Sequence, residues 1–378
     1  MTTPKPLAAR AGVAERAVES RHLRRVWGLP GTALGAVSWP AGPGDRLHVR
    51  FNYWWQAHLL DCVLDAQLRS PREARVALVR RLVRGIRVRN LVGWTNDYYD
   101  DIAWLGLALL RAQHEVGVAR PGVVATIARH LRDAWTDHGG GGIWWKRHDD
   151  FKNVPANGPA AIFFARLGTP ADLGRARSTV DWVDGCLRDG ETGLLWDGLH
   201  VHPDGSVREV EKNFYTYCQG VVLGACVELG GAYGDKAARI VDAVAEHLAV
   251  DGVLRGHGGG DGGLFGGILA RYLAQAALRL DRPQAARAAD LVFSSAEAVW
   301  ANRAAVVGGP LFGPEWSEPA CPPEGDAAPG HRWGWGQERE RGRGWARPER
   351  DLSVQLGGWM AVEAAALLER NGMAPGRR

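Results

Sequence analysis

An all-α ring of six helical hairpins, an (α/α)6 barrel, is the architecture this sequence predicts, on three observations. Two kinds of helix alternate along the chain, six apolar on one side only and six apolar all round. The buried kind recurs every 46 to 60 residues, with a longer step of 88 before the last. Glycine-rich and proline-rich punctuation falls between helices, at Gly139 to Gly142, Gly256 to Gly263 and Gly308 to Pro314. A two-helix unit of that length cannot bury its apolar faces alone, and closing six of them into a ring buries them all.

The first one-sided helix begins near residue 8, in the charged amphipathic stretch Met1 to Arg25, and the first buried one near residue 52. The second outer helix starts near 72: Val76, Val79, Leu82, Val83 and Ile86 share a face, while Arg75, Arg80, Arg81 and Arg84 lie largely off it. Near 98 a buried helix follows, in which Ile102 to Leu110 is apolar on every side. From about 120, Val123, Ile127, Leu131 and Trp135 recur every four residues, with Arg129, Arg132 and Asp133 elsewhere on the wheel. The alternation continues with buried starts near 154, 214, 263 and 351 and one-sided starts near 171, 234 and 283. One domain over 1–378 is therefore expected, with a long loop insertion at about 301–350.

Composition narrows the function. The net charge is +4, from 46 basic and 42 acidic residues interspersed along most of the chain, so no sustained field for nucleic acid or membrane is expected. Five cysteines without a C-x-x-C pair read as reduced thiols. No run approaches the roughly 18 apolar residues of a membrane span, and the N-terminus shows no export signal, so a cytoplasmic location is expected. Gly258, Gly260 and Gly263 satisfy G-x-G-x-x-G, but no strand precedes them, which argues against a dinucleotide site. His200 and His202 lack a third ligand at a suggestive spacing, so no metal and no cofactor is predicted. In His331 to Arg350, Trp333, Trp335 and Trp345 interleave with arginines, but three glutamates offset the charge, and the segment reads as insertion rather than nucleic-acid interface.

Inner helices of such a ring all run the same way, so their N-termini gather at one mouth. Polar and aromatic residues concentrate there: Asn52 to His58, the Asp100-Asp101 segment, Asn153 to Asn157 and Asn213 to Gly220, followed by Gly258 to Arg271. Indole and phenol rings offer flat apolar faces to a pyranose, while amides and carboxylates bond its hydroxyls. Tryptophan outnumbers phenylalanine, 17 to 8, which favours rings that sit partly wet.

Asp100 and Asp101 open an otherwise apolar helix, where unpaired charge is costly. Such a doublet is ordinarily an N-cap plus a dipole partner. Within the first turn, however, both side chains can reach one cavity with carboxyl groups about 5 to 6 Å apart, the spacing of retaining glycosidases. At an effective dielectric near 20, two charges at about 5.5 Å repel by about 3 kcal/mol, so one proton is retained and one acid coexists with one anion. The spacing does not say which is which.

Taken together, Tyr53 to His58, Asn96 to Trp104, Gly142 to Lys146, Tyr215 to Gly220 and Arg271 to Leu273 resemble glycoside hydrolase family 76, the α-1,6-mannanases. The resemblance implies an (α/α)6 fold and endo-hydrolysis of α-1,6-linked mannan or mannooligosaccharides with retention. It implies Asp100 as nucleophile and Asp101 as general acid/base. Trp55, Asn96, Asp97, Tyr99, Trp144, Trp145, Asn157, Tyr217 and Gln219 are the candidate sugar contacts, and His58 reads as a hydrogen-bonded structural histidine. Cys218 stands where the family pattern has asparagine, and Gly266 where lysine is common. Those departures keep two alternatives open: another (α/α)6 sugar enzyme, such as an epimerase or unsaturated-uronide hydrolase, and a catalytically inactive carbohydrate-binding relative.

Overall fold

A computed structural model describes residues 6–322 and 348–376. Thirteen α-helices dominate the described residues. The inner six are α3 (Tyr53–Arg69), α5 (Tyr99–Val116), α7 (Val154–Leu167), α9 (Thr216–Leu229), α11 (Gly262–Arg279) and α13 (Leu352–Arg370), and the outer six are α1 (Pro6–His22), α4 (Glu73–Arg89), α6 (Pro121–Asp133), α8 (Pro170–Cys186), α10 (Tyr233–His247) and α12 (Gln284–Ala301). All twelve start within two residues of the positions the apolar pattern indicates. The additional short helix α2 (Pro43–Arg46), one turn around Asp45, has no such pattern to announce it.

Each inner helix packs against the next, and α13 returns to α3, which closes the ring. The outer helices α4, α6, α8, α10 and α12 each pack on the inner helix preceding them, while α1 packs on α13, so the N-terminal helix completes the last hairpin. Burial follows the sequence pattern: Thr216 to Val227 of α9 is buried without interruption, whereas α6 buries only Val124, Ile127, Ala128 and Leu131. Where α11 and α13 cross, a Cβ on Gly267 would lie 2.7 Å from Cα of Gly357, so the helices meet backbone to backbone. Caps fix two of the starts. Asn153 accepts the Ala156 N–H at 3.2 Å to open α7, and Thr169 accepts the Asp172 N–H at 3.1 Å to open α8.

Short antiparallel strands decorate the loops. These are β1 (Leu23–Arg24) with β2 (Leu34–Gly35), a three-stranded sheet of β3 (Phe151–Asn153), β4 (Gly198–Val201) and β5 (Val207–Glu211), β6 (Ala249–Val250) with β7 (Val253–Leu254), and β8 (Ala304–Val306) with β9 (Gly309–Leu311). The sequence reads as helical almost throughout, and runs of two to five residues carry too few alternating positions to signal a strand. The hairpin β8–β9 opens the 301–350 segment; Trp333, Trp335 and Trp345 lie outside the described residues. No helix among the described residues is long and apolar enough to cross a membrane.

Candidate active site

The N-terminal ends of four inner helices meet at one mouth. From α3, the indoles of Trp54 and Trp55 both donate to Oδ1 of Asp261, at the start of α11, at 3.1 and 2.8 Å. Tyr217 of α9 stacks on Phe265 of α11 with ring centroids 4.0 Å apart. Asp261 also bears electrostatically on Asp100 and Asp101 at the start of α5.

The acid pair is held by a backbone zipper rather than by its own helix alone. Tyr99 N–H donates to the Trp145 carbonyl at 2.8 Å, and Arg147 N–H to the Asp97 carbonyl at 2.9 Å, so 97–99 and 145–147 run side by side. That pairing aims the Trp145 indole at Asp100, whose Oδ2 it reaches at 3.0 Å, while the Asp101 backbone N–H reaches Oδ1 at 2.8 Å. Asp101 is served differently. Asn96 Nδ2 donates to its Oδ2 at 2.5 Å, and Asn96 Oδ1 accepts the Tyr98 N–H at 3.0 Å, which fixes the way the amide faces.

Both carboxyls lie deep in the ring but keep partial solvent contact through the mouth. Burial raises Asp100 to about 6, against the hydrogen bonds from the Asp101 amide and Trp145 that favour its ionised form. Burial raises Asp101 well above the carboxylate range, and the charge on Asp100 adds to the effect. At neutral pH the pair therefore holds one anion, at Asp100, and one proton, at Asp101. Around it stand further carboxylates that the sequence did not single out. Asp197, beside β4, is raised to about 7 by burial and by Glu211 and Asp100, and Asp261 was hidden in the glycine-rich run before α11.

The candidate sugar contacts divide on inspection. Asn96, Trp145 and Tyr217 reach the mouth, and Asp97 lies on its rim, 3.8 Å from Arg147. Tyr99 is half-buried, its backbone committed to the zipper. Trp55 is almost wholly buried, and it is Trp54 that leaves a half-exposed ring beside Tyr217 and Phe265. Trp144 alternates away from Trp145, and its ring packs under the Lys152 ammonium at 4.6 Å. Asn157 and Gln219 have no exposed surface and are fully engaged internally. Asn157 brackets the amide and carbonyl of Ile143 at 2.8 and 2.9 Å, and Gln219 those of Leu195 at 2.9 and 2.8 Å. Gln56 and Gln355 do the same to Gly35 and Phe312. All four occupy the fourth position of an inner helix, so these amides are loop clamps of the repeat, not sugar ligands.

Three other expectations resolve physically. His58 is buried with no hydrogen-bond partner on either ring nitrogen among the described residues, so it is held by packing, 4.3 Å from the Trp104 ring, and burial lowers it to about 3. Cys218 is fully buried, its thiol 3.9 Å from Asp197 Oδ1. At Gly266 a Cβ would come within 3.1 Å of the Trp316 ring, so an indole from the segment after β9 occupies the space above that position. Among the described residues no group of three or more His, Cys, Asp or Glu side chains is placed to hold a metal ion.

A cavity of about 810 Å³ opens at the other end of the ring. Among its carboxylates, Asp65 and Glu228, with Asp61 beside them, are paired with Arg111, Arg271, Arg166 and Arg279, and Glu363 with Arg69, which suits a structural ion network rather than acid catalysis.

The sequence profile of glycosyl hydrolase family 76 matches residues 14–330. No curated protein matches the chain by sequence. Among solved structures, an α-1,6-mannanase of that family from a Salegentibacter species is 31% identical, with 96% of this chain and 99% of that one covered and a TM-score of 0.79. An inactive variant of the same mannanase, substituted at two consecutive aspartates, was solved with α-1,6-mannotriose and superposes with a TM-score of 0.80. A protein from Listeria innocua is 26% identical over 99% of this chain and 100% of that one, with a TM-score of 0.79. A fold-wide likeness and a profile match over most of its length make this chain a glycoside hydrolase, a member of glycoside hydrolase family 76.

Proposed function

We propose that the protein cleaves α-1,6-linked mannosides by double displacement, with Asp100 as nucleophile and Asp101 as general acid/base. The observation that carries this reading is the unequal setting of two neighbouring carboxyls at the mouth: Asp100 accepts hydrogen bonds from the Trp145 indole and the Asp101 amide, which favour its anion, while Asp101 accepts one from Asn96 and lies buried beside Asp100, which favours its proton. Asp100 attacks the anomeric carbon as Asp101 protonates the departing glycosidic oxygen, and the C–O bond to the leaving sugar breaks. Asp101, now an anion, takes a proton from water, whose oxygen displaces Asp100 and restores both groups. Since Asn96 occupies Oδ2 of Asp101 as an acceptor, Oδ1 is the oxygen left to carry the proton.

Specificity for α-1,6-linked mannose is supported by the mannanase likeness and by its mannotriose complex. Trp54, Tyr217 and Phe265 supply an aromatic wall, and Asp197 and Asp261 supply acceptors for sugar hydroxyls. Reducing-end release from linear α-1,6-mannotetraose tests the assignment. Wild type is expected to cleave it, Asp101→Asn to lose about 10²- to 10⁴-fold in rate, and Asp100→Asn about 10³-fold or more. Cleavage by wild type that survives in Asp100→Asn would remove the nucleophile from the scheme. Saturable binding without cleavage would instead mark a carbohydrate-binding relative.

A further inference from the structure

The balance of charge along the chain hides a segregation in space. Between Glu19 and Asp61 the sole acidic residue is Asp45, which is buried and bonded to Ser38 and Arg50, and between Glu73 and Asp97 there is none. Those two stretches fold together. Trp27 Nε1 donates to the Leu47 carbonyl at 2.9 Å, and Arg89 donates to the carbonyls of His48 and Val49 at 2.6 and 2.9 Å. The Val92 N–H returns to the Arg87 carbonyl at 2.9 Å, and Arg84 lies beside Gly31.

The joined loops push their apolar side chains outward. Of the twelve large hydrophobic residues exposed among the described ones, six lie here: Trp27, Leu29, Leu47, Val49, Leu91 and Val92, with Leu91 80% and Val92 65% exposed. Exposed arginines, Arg25, Arg46, Arg84 and Arg87, lie in the same two stretches. The backbone is strained to hold this arrangement. Among the described residues, seven non-glycine residues adopt left-handed φ, and four of them, Trp27, His48, Leu91 and Val92, are in these loops. For a valine that conformation is sterically costly and persists where the surroundings impose it. Apolar loop tips exposed alongside arginine-rich stretches mark an interaction surface rather than an ordinary solvated one.

We propose that this face docks on an anionic phospholipid bilayer, with the six apolar side chains entering the interfacial layer and the arginines meeting lipid phosphates. Charge complementarity and residue type both select this occupant. Leucine and valine tips gain nothing from a nucleic-acid backbone, whereas an indole with aliphatic neighbours suits the headgroup boundary. The patch adjoins the mouth, because the loop that carries Leu91 and Val92 continues into Asn96, and its Trp94 carbonyl accepts the Tyr53 hydroxyl at 2.5 Å. Docking would therefore hold the cleft at the bilayer surface.

Cosedimentation of the full chain with vesicles tests this, using phosphatidylcholine alone and phosphatidylcholine with about 30 mol% phosphatidylglycerol. Wild type is expected to sediment with the anionic vesicles and to be released as salt rises from about 0.1 to about 0.5 M. The double variants Leu29→Asp/Leu47→Asp and Arg84→Glu/Arg87→Glu are each expected to lower the partition coefficient at least about tenfold, with unchanged circular dichroism and unchanged hydrolysis of soluble oligosaccharide. Failure of wild type to bind anionic vesicles, or equal binding by the variants, overturns the proposal. A wild-type dimer in analytical ultracentrifugation that both variants dissolve, without vesicle binding, would assign the face to self-association instead.

Discussion

At the residue scale, the proposed reaction depends on two carboxyls that differ in environment more than in chemistry. In that reaction Asp100 must be ionised to attack, so activity should fall on the acid side as pH drops through its value of about 6. On the alkaline side it should fall when Asp101, raised well above the carboxylate range, loses its proton. Two substitutions move the acid limb in opposite directions. Trp145→Phe removes a hydrogen bond that favours the Asp100 anion, and since such bonds to charged groups contribute about 1.5 kcal/mol, the limb should rise by about one pH unit. Asp261→Asn removes a negative charge that opposes ionisation of Asp100, so the limb should shift to lower pH. A pH profile of kcat/KM reads both, and shifts of the same sign would contradict this picture of the site.

At the scale of elements, the mouth depends on amides that never meet substrate. Gln56, Asn157, Gln219 and Gln355 each bind a strand or loop segment to the first turn of an inner helix, so they set where the cleft walls stand. Gln219→Ala leaves the Leu195 amide and carbonyl without their partner and should destabilise the fold by about 2 to 4 kcal/mol, as measured by urea unfolding, while the acid limb of the pH profile stays in place. The helices themselves were legible because their apolar periods are long and regular. Asn157 and Gln219 were legible only as polar residues at a helix start, since a loop clamp and a sugar ligand have the same local sequence. Asp197 was not legible at all. Its place beside the acid pair follows from β4 pairing with β3, a contact between strands of three and four residues some 45 positions apart. Trp54 and Trp55 are adjacent in sequence, and nothing in their neighbours tells which ring the helix leaves open.

Across the whole molecule, the two ends of the ring carry differently paired carboxylates. At one end Asp100, Asp101 and Asp197 are raised with no ion pair among the described residues; at the other Asp61, Asp65 and Glu228 are matched by arginines, and Glu363, though bonded to Arg69, is raised by burial to about 7. The raised carboxyls have a stability consequence with a definite sign. A carboxyl whose folded pKa exceeds its unfolded value destabilises the fold above the unfolded pKa, and the deficit disappears as pH falls below it. Asp100→Asn/Asp101→Asn should therefore raise Tm at pH 7, with the gain shrinking as pH falls from 7 to about 4; thermal unfolding at the two ends of that range checks it. The basic, apolar face beside the mouth was invisible in the sequence totals, because only folding brings 20–50 and 74–96 together. What the sequence does make plain is the repeat, and the repeat is what gathers the acid pair, the aromatic wall and the clamps at one opening.

Covalent catalysis by Asp100 with Asp101 as acid/base leaves its mark on the anomeric form of the first product. Proton NMR during the earliest turnover of a linear α-1,6-mannooligosaccharide should show the α-anomer at the new reducing end, relaxing to the equilibrium mixture only later. Initial appearance of the β-anomer would contradict the account.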